Sequence, residues 1–187
     1  MDIRVDQITI EAARRGDRDA QARMLRQLQD TWFRFCLGLL GSAEDARDAV
    51  QETALRFLRD LPRFRGESSI STWSMGIAIN VTREMRRKMR LVSEYDETQH
   101  QDTRATAGTQ RVPDPPENQV LKQESRERLR ESLAILPERQ REALLLRYFE
   151  DLSVEETASA MGCATGTVKA TVHQALRSLR SKLTQLS

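Results

Sequence analysis

The chain has 187 residues, of which 39% are hydrophobic and 31% charged, and its formal net charge is +2. This length suits one large domain or two small ones, and the few glycines and prolines favour helices, so we expect an all-α protein. The two cysteines stand outside any CxxC or Cys/His array, which favours reduced thiols and no metal site. Without a long apolar run or a signal peptide, the protein is expected to be cytoplasmic.

A helical pattern covers the chain from Thr9 to about Arg90. Its clearest stretch is 44–61, where apolar side chains recur every three or four residues. Ser42 and Asp45 form a capping signal at its start, and Pro62 ends it. Four carboxylates and one arginine occupy 44–52, which predicts an acidic outer face. Such a face is more often simply solvated, so these residues alone assign it no partner.

A polar loop with the sequence RFRGESS follows, and then a helix that becomes strongly basic at 83–90. The pattern predicts that one side of this helix faces the core, with Trp73, Ile77, Val81 and Met85. The other side carries a polar stripe of Gly76, Asn80, Arg83, Arg87 and Arg90. Arginines neutralise phosphates, and an amide hydrogen-bonds a base edge, so the stripe favours a DNA-binding helix. An exposed Phe64 in the loop would stack on an unpaired base, although core packing is an equal alternative.

Residues 91–122 lack helical periodicity and include Pro113, Pro115 and Pro116. The sequence therefore predicts a flexible linker between two small helical domains, at 1–90 and 123–187.

The C-terminal part has the pattern of a helix-turn-helix unit. Ser153 and Glu156 predict a capping box, and Gly162 marks a tight break between two helices. In the last helix the predicted inward stripe is Val168, Val172, Leu176, Leu179 and Leu183. The predicted DNA-reading face carries Thr167, Lys169, Thr171, His173, Gln174 and Arg177. Such a helix fits the major groove, where Gln174 suits adenine and the two cationic residues suit phosphates or guanine. A solvated helix in an ordinary bundle is the alternative.

Two stretches together resemble a bacterial RNA polymerase sigma factor of the extracytoplasmic-function (ECF) class. They are EDARDAVQETALRFLRDLPRFRGESSISTWSMGIAINVTREMRR and, after the linker, LPERQREALLLRYFEDLSVEETASAMGCATGTVKATVHQALRSLRSKL. The resemblance implies that residues 1–90 are region 2, which binds core polymerase and the −10 promoter element. It implies that residues 123–187 are region 4, which reads the −35 element, and that the linker passes through the polymerase cleft.

The resemblance also implies roles for individual residues, and it implies neither a cofactor nor a catalytic residue. The docking stretch for the clamp of the largest polymerase subunits is Asp45, Asp48, Gln51 and Glu52. The implied −10 surface, which receives a flipped base of the non-template strand, contains Phe64, Arg65, Gly66, Ser68, Ser69, Asn80, Arg83, Arg87 and Arg90. The implied partners are core RNA polymerase, including its flap region, promoter DNA and an anti-sigma factor, which in a membrane-bound form would hold the protein at the inner membrane.

One departure from the family pattern concerns the reading helix. The chain has GTVKATVHQAL where the class often has Ser-Arg after GTVK, which predicts weaker or altered −35 recognition. A LuxR-type helix-turn-helix regulator is the rival interpretation, and an inactive sigma-like decoy is another. Neither a P-loop nor a metal-ligand cluster is present, which disfavours an enzyme acting on nucleic acid.

Overall fold

The structure, a computed structural model, describes residues 5–99 and 131–185. All regular secondary structure in these two ranges is helical, as predicted. The first range contains α1 (Gln7–Arg14), α2 (Arg18–Leu40), α3 (Ala43–Asp60), a 3₁₀ turn (Leu61–Arg63) and α4 (Ile70–Gln99). The second contains α5 (Glu138–Leu144), a π-helical segment (Leu145–Phe149), α6 (Val154–Met161) and α7 (Thr165–Gln185). Within the described residues, no helix is both long and apolar enough to cross a membrane.

The predicted helix caps form. The Ser42 hydroxyl accepts a hydrogen bond from the Asp45 backbone N–H, with 3.3 Å between the heavy atoms. Ser153 and Glu156 form the reciprocal capping box of α6. Gly162 ends that helix in the left-handed conformation, with φ of 63°, which glycine adopts without a steric penalty.

An aromatic chain holds the N-terminal helices together. The rings of Trp32 on α2, Phe57 on α3 and Trp73 on α4 follow one another at centroid distances of 5.5 Å. The buried Trp32 indole N–H donates to the Ser74 hydroxyl at 3.0 Å, so this polar group is satisfied inside the core. The predicted inward side of α4 is confirmed, because its apolar residues are buried or pack against this core.

Helix α4 continues past the predicted domain boundary at Arg90. The segment 91–99, which we assigned to the linker, is helical in the structure. Its polar composition hides the continuation, because Glu and Gln favour helices almost as strongly as apolar straight-chain residues do. The rest of the predicted linker lies outside the described residues.

The inward stripe of α7 differs from the prediction at one position. Val168 and Ala175 are buried, and Val172 and Leu179 are half-buried, whereas Leu176 is 44% exposed. Ala175 lies two turns after Val168 and therefore almost in line with it, while the next residue is rotated by about 100°. Placing Leu176 inward was wrong, and the side chain of Leu183 lies outside the described residues.

The helices of residues 5–99, called the N-terminal module below, and those of 131–185, the C-terminal module, share one continuous apolar core. Helix α4 packs against α6, and α2 packs against the π-helical segment. At the second contact, a Cβ added to Gly38 would lie 2.9 Å from the Leu145 side chain. The absence of a side chain at Gly38 therefore permits the close approach of the two helical modules.

Candidate nucleic-acid and polymerase interface

The outer face of α3 carries the predicted docking residues. Asp48 and Gln51 are exposed, whereas Asp45 and Glu52 are half-buried. The Glu52 carboxylate accepts a hydrogen bond from Arg56 Nε at 2.6 Å, so its charge is partly neutralised within the helix. Asp48 is consequently the most open carboxylate among these docking residues.

Arg56 joins this face to helix α4. Its guanidinium donates two hydrogen bonds of 2.8 Å to the Glu84 carboxylate. These bonds hold the pKa of Glu84 below its usual value and keep the carboxylate charged. This ion pair joins α3 to α4, which also pack against each other, so the docking face and the basic helix lie on adjoining helices.

Leu55 is a residue of this face that the sequence analysis missed. Its side chain is 59% exposed, although leucines in this fold are mostly buried. It follows Glu52 by one turn and lies on the same side of α3, beside the carboxylates of the docking face. The signal in the sequence was an apolar residue out of phase with the buried stripe of that helix.

The loop between the 3₁₀ turn and α4 is anchored by its aromatic residue. Phe64 is only 8% exposed, and its ring lies 5.1 Å from that of Trp73. Of the two alternatives for Phe64, the structure shows core packing and not an exposed, base-stacking ring, because the ring completes the aromatic chain of the core. Arg65 beside it is exposed, and Gly66 takes a φ of 74° that turns the loop back.

The serines of this loop have local structural partners. The Ser69 hydroxyl accepts from the Thr72 backbone N–H at 3.0 Å and thus caps the start of α4. The Ser68 hydroxyl makes a long contact of 3.4 Å to the Ser69 carbonyl. The Ser69 hydroxyl also lies 2.8 Å from that of Thr72, so Ser69 orders the loop and has little hydrogen-bonding capacity left for a ligand.

Asn80 lies exposed at a surface cavity of about 310 Å³. The cavity is lined by Arg56, Arg59, Asp60, Ile77, Asn80, Arg83 and Glu84. Its volume is at the lower end of the range for small-molecule sites, about 300–1,000 Å³. An amide beside an apolar side chain suits a nucleobase, whereas each lining arginine is ion-paired: Arg56 to Glu84, Arg59 to Asp60 and Arg83 to Glu142.

The arginine stripe of α4 is only partly open. Arg87 and Arg90 are exposed, as predicted. Arg83 instead makes a bidentate ion pair with Glu142 of α5, at 2.8 and 2.6 Å. This hydrogen bonding raises the pKa of Arg83, so the guanidinium is firmly charged. The structure therefore brings Asn80, Arg83, Arg87 and Arg90 onto one face and covers Arg83 with the C-terminal module.

The outer face of α7 presents the predicted reading residues together. Thr167, Lys169, His173, Gln174 and Arg177 are exposed, and Thr171 is half-buried at the edge of this face. Gly166 has no neighbouring atoms that an added Cβ would meet, so the start of the helix is open as well. Helix α7 offers a slender polar surface at its N-terminal half, with nothing from the described residues packed over it.

Both cysteines are free thiols. Burial raises the pKa of the Cys36 thiol to about 12, so this group stays protonated at neutral pH. Cys163 is half-buried at the end of α6. Within 5–99 and 131–185, His, Cys, Asp and Glu nowhere gather in a group of three suited to a metal ion.

Truncating Phe64 should destabilise the protein, because it removes a buried ring from the aromatic chain. For Phe64→Ala we expect a loss of about 3 kcal/mol in the free energy of unfolding, measured by urea denaturation. The neighbouring exposed Arg65→Ala variant should change it by less than about 0.5 kcal/mol. Equal stability of the two variants would contradict the anchoring role.

Comparison with known proteins agrees with this geometry. Residues 24–91 match the family model for Sigma-70 region 2, and residues 126–179 match that for Sigma-70, region 4. The chain is 33% identical over 186 residues to the ECF RNA polymerase sigma factor SigD of Mycobacterium tuberculosis, with 96% of this chain and 84% of that protein covered. It is 31% identical to the RNA polymerase sigma-H factor of Pseudomonas aeruginosa, with 97% and 95% covered.

Solved structures show the same fold. CnrH, solved in complex with the cytosolic domain of CnrY, superposes with a TM-score of 0.73 at 18% identity, and both chains are covered completely. The sigma factor RpoE of Bartonella quintana, solved with the anti-sigma factor NepR, superposes with a TM-score of 0.64 at 24% identity, covering 87% of this chain and 96% of that one.

Both helical modules match sigma-factor regions in the expected order, which a LuxR-type regulator would not explain. The relatives are initiation factors and not enzymes. This chain belongs to the ECF class of RNA polymerase sigma factors and is an alternative sigma factor that directs transcription initiation.

Proposed function

We propose that the chain binds core RNA polymerase through α3, reads duplex DNA at the −35 element with α7 and traps an unpaired base of the −10 element beside Asn80. The observation that carries the proposal is the cavity at Asn80, which is lined by residues of both α3 and α4. In this scheme the N-terminal part of the chain through α4 acts as region 2 and 123–187 as region 4, with the residues between them as the linker.

Docking on polymerase would rest on the mixed character of the α3 face. Asp48 and Gln51 offer hydrogen-bond acceptors to a basic partner helix, and Leu55 offers an apolar contact. Charged residues steer the association of two proteins and fix their orientation. An apolar side chain that loses its water in the interface adds binding energy through close packing. We infer that the partner is the clamp of the largest polymerase subunits. The flap region is a second expected contact, made by the C-terminal module.

Strand opening would be driven by binding energy. Extruding a base costs a few kcal/mol, and capture in the Asn80 cavity with phosphate contacts to Arg87 and Arg90 offsets that cost. Phe64 serves this step indirectly, because its packing on Trp73 fixes the loop that borders the site. Arg65 and the backbone at Gly66 are among the exposed loop groups that could contact the DNA.

Two variants on α7 should separate base reading from phosphate contact. Gln174→Ala should cost about 1–3 kcal/mol at the preferred −35 sequence and relax the preference at one base pair. Lys169→Ala should weaken binding to all sequences. It should also reduce by about one the slope of log affinity against log salt concentration, because one fewer phosphate is neutralised. Binding of labelled −35 duplexes at several salt concentrations measures both, and a uniform loss for the glutamine variant would contradict its assignment.

The C-terminal reading helix should also have its own promoter preference. With Ala170 and Thr171 after the lysine, it carries fewer cationic side chains than the usual pattern of the class. We propose that the −35 preference is weaker or altered.

We also propose an anti-sigma factor as a further partner, because the structurally similar CnrH and RpoE were both solved with partner proteins that bind them.

The test of the proposed function is direct. The purified chain is mixed with core RNA polymerase and fragmented genomic DNA of its source, and the start sites of the transcripts are mapped. Starts that share a two-part upstream motif are the expected result. Random starts, or none above those of core polymerase alone, would refute the proposal.

A further inference from the structure

A second cavity lies between α4 and α5, on the side of α4 that carries the arginine stripe. Its volume is about 330 Å³. Every residue that lines it is charged: α4 contributes three arginines and a glutamate, and α5 contributes two glutamates and an arginine. A cavity with this lining excludes an apolar ligand and suits a small charged one.

Two of the three glutamates of this α4–α5 cavity already have a guanidinium partner. Glu142 accepts hydrogen bonds of 2.8 and 2.6 Å from Arg83. Glu84 accepts two bonds of 2.8 Å from Arg56, which lies outside the lining of this cavity. These two carboxylates are therefore neutralised before the other arginines of the cavity are considered.

Three arginines and one glutamate remain. Glu138 lies 4.0 Å from Arg90, at the outer limit for an ion pair. Arg87 and Arg139 are exposed, and no residue of 5–99 or 131–185 forms an ion pair with either of them. The remaining lining thus has an excess of two positive charges, which come from two different helices. Like charges around one cavity repel each other, and a bound anion would remove that repulsion.

A terminal phosphate group matches this excess of charge. At neutral pH such a group carries a charge of about −1.5 to −2 and has three acceptor oxygens. A planar guanidinium donates paired hydrogen bonds to phosphate oxygens, which favours arginine over lysine in such sites. A phosphodiester of the DNA backbone carries one negative charge per phosphate and would balance only half of the excess. The lining therefore favours a free phosphorylated compound over a DNA strand.

We propose that the α4–α5 cavity binds a small molecule with a terminal phosphate or pyrophosphate group, held by Arg87, Arg90 and Arg139. Arg87 and Arg90 are also expected to hold the −10 strand, so the small molecule and that strand compete. This competition rests on the proposed function, whereas the binding site itself does not. A phosphorylated metabolite would thereby lower the affinity of the sigma factor for promoter DNA.

Isothermal titration calorimetry of the full chain with inorganic pyrophosphate, at an ionic strength kept constant with sodium chloride, tests the site. We expect saturable binding at one site per chain. Arg139→Gln should weaken it about tenfold, because one charge-assisted hydrogen-bonding group is lost. Arg26→Gln, the control, removes an exposed arginine of α2 outside the cavity and should bind as the wild type does. Absence of saturable binding, or equal losses in the two variants, would overturn the site.

A second probe distinguishes a small-molecule site from a further contact to DNA. It is a single-stranded oligonucleotide with the non-template −10 sequence found by start-site mapping. Arg139→Gln should bind it within about twofold of the wild type, since only long-range electrostatics change. Arg87→Gln should bind both probes less tightly, because it loses a phosphate contact in each case. If Arg139→Gln lost as much affinity for the oligonucleotide as for pyrophosphate, the cavity would be part of the DNA surface and the proposal would be overturned.

Competition between the two probes completes the test. Pyrophosphate should displace the oligonucleotide from the wild type, and about tenfold more should be needed for Arg139→Gln, in line with its weaker binding. Simultaneous binding of both probes at undiminished affinity would overturn the competition. A wild-type chain that binds pyrophosphate but directs no promoter-specific starts would refute the proposed function and leave the site standing, so the two failures are distinguishable.

Discussion

Replacing Asp48 by Lys should weaken binding to core RNA polymerase on the order of 100-fold. The carboxylate is the most open one of the α3 face, and reversal both removes an attraction and places like charges together at a basic partner surface. Fluorescence anisotropy of the labelled chain titrated with core polymerase measures the affinity. The fold should be unaffected, since Asp48 is exposed and outside the ion pairs that join α3 to α4.

The matched control is Asp30→Lys, a reversal of the same charge at an exposed position of α2. It should change the affinity for polymerase by less than about threefold, the range expected from long-range electrostatics in physiological salt. Equal losses for both reversals would show a general charge effect and contradict docking through α3.

Leu55→Ala tests the apolar part of the same face. It should lower the affinity for polymerase about tenfold, by roughly the transfer energy of the lost methyl groups. This loss should be the same at low and high salt, whereas the loss for Asp48→Lys should shrink as salt rises. Wild-type affinity of the leucine variant would remove Leu55 from the interface.

Replacing Asn80 by Ala should impair promoter opening by about 10- to 100-fold while leaving polymerase binding intact. A well-placed amide contributes about 1–3 kcal/mol to base recognition, and the cavity at Asn80 has no other side-chain amide. Permanganate reactivity of unpaired thymines in the −10 region, in the presence of core polymerase, reports the opened fraction directly.

Gln29→Ala is the control for this variant, because it removes an exposed amide from α2, which contributes no lining residue to the Asn80 cavity. It should open the promoter as the wild type does. Normal permanganate reactivity in Asn80→Ala would show that the cavity does not hold the flipped base, whatever the result at Asp48.

Local patterns in the sequence were sufficient to predict most helices and several of their ends. Ser42, the Ser153–Glu156 box and Gly162 act through hydrogen bonds and backbone conformations within a few residues, so they could be assigned without tertiary information. The length of α4 could not be assigned in this way, because the residues after Arg90 have helical propensity but no apolar periodicity.

Exposure was decided by packing between distant segments. Phe64 appears in a polar loop, yet Trp73 lies within reach of its ring and buries it. Leu176 and Ala175 are adjacent and both apolar, and the packing of α7 against the other helices buries Ala175 and leaves Leu176 exposed. For a side chain that lies between two helices, the neighbouring residues in the sequence do not indicate which helix it will contact.

The sequence by itself determined the helical class, the helix-turn-helix unit, the acidic and basic faces and the family, because periodicity, caps and contiguous motifs are properties of neighbouring residues. Only the tertiary structure decided that Arg83 pairs with Glu142 and that Gly38 accommodates Leu145. These pairs are far apart in the chain, and nothing in the residues around either partner specifies the other. Their physical basis is the burial of a charge and of apolar surface, which exists only once the two modules meet.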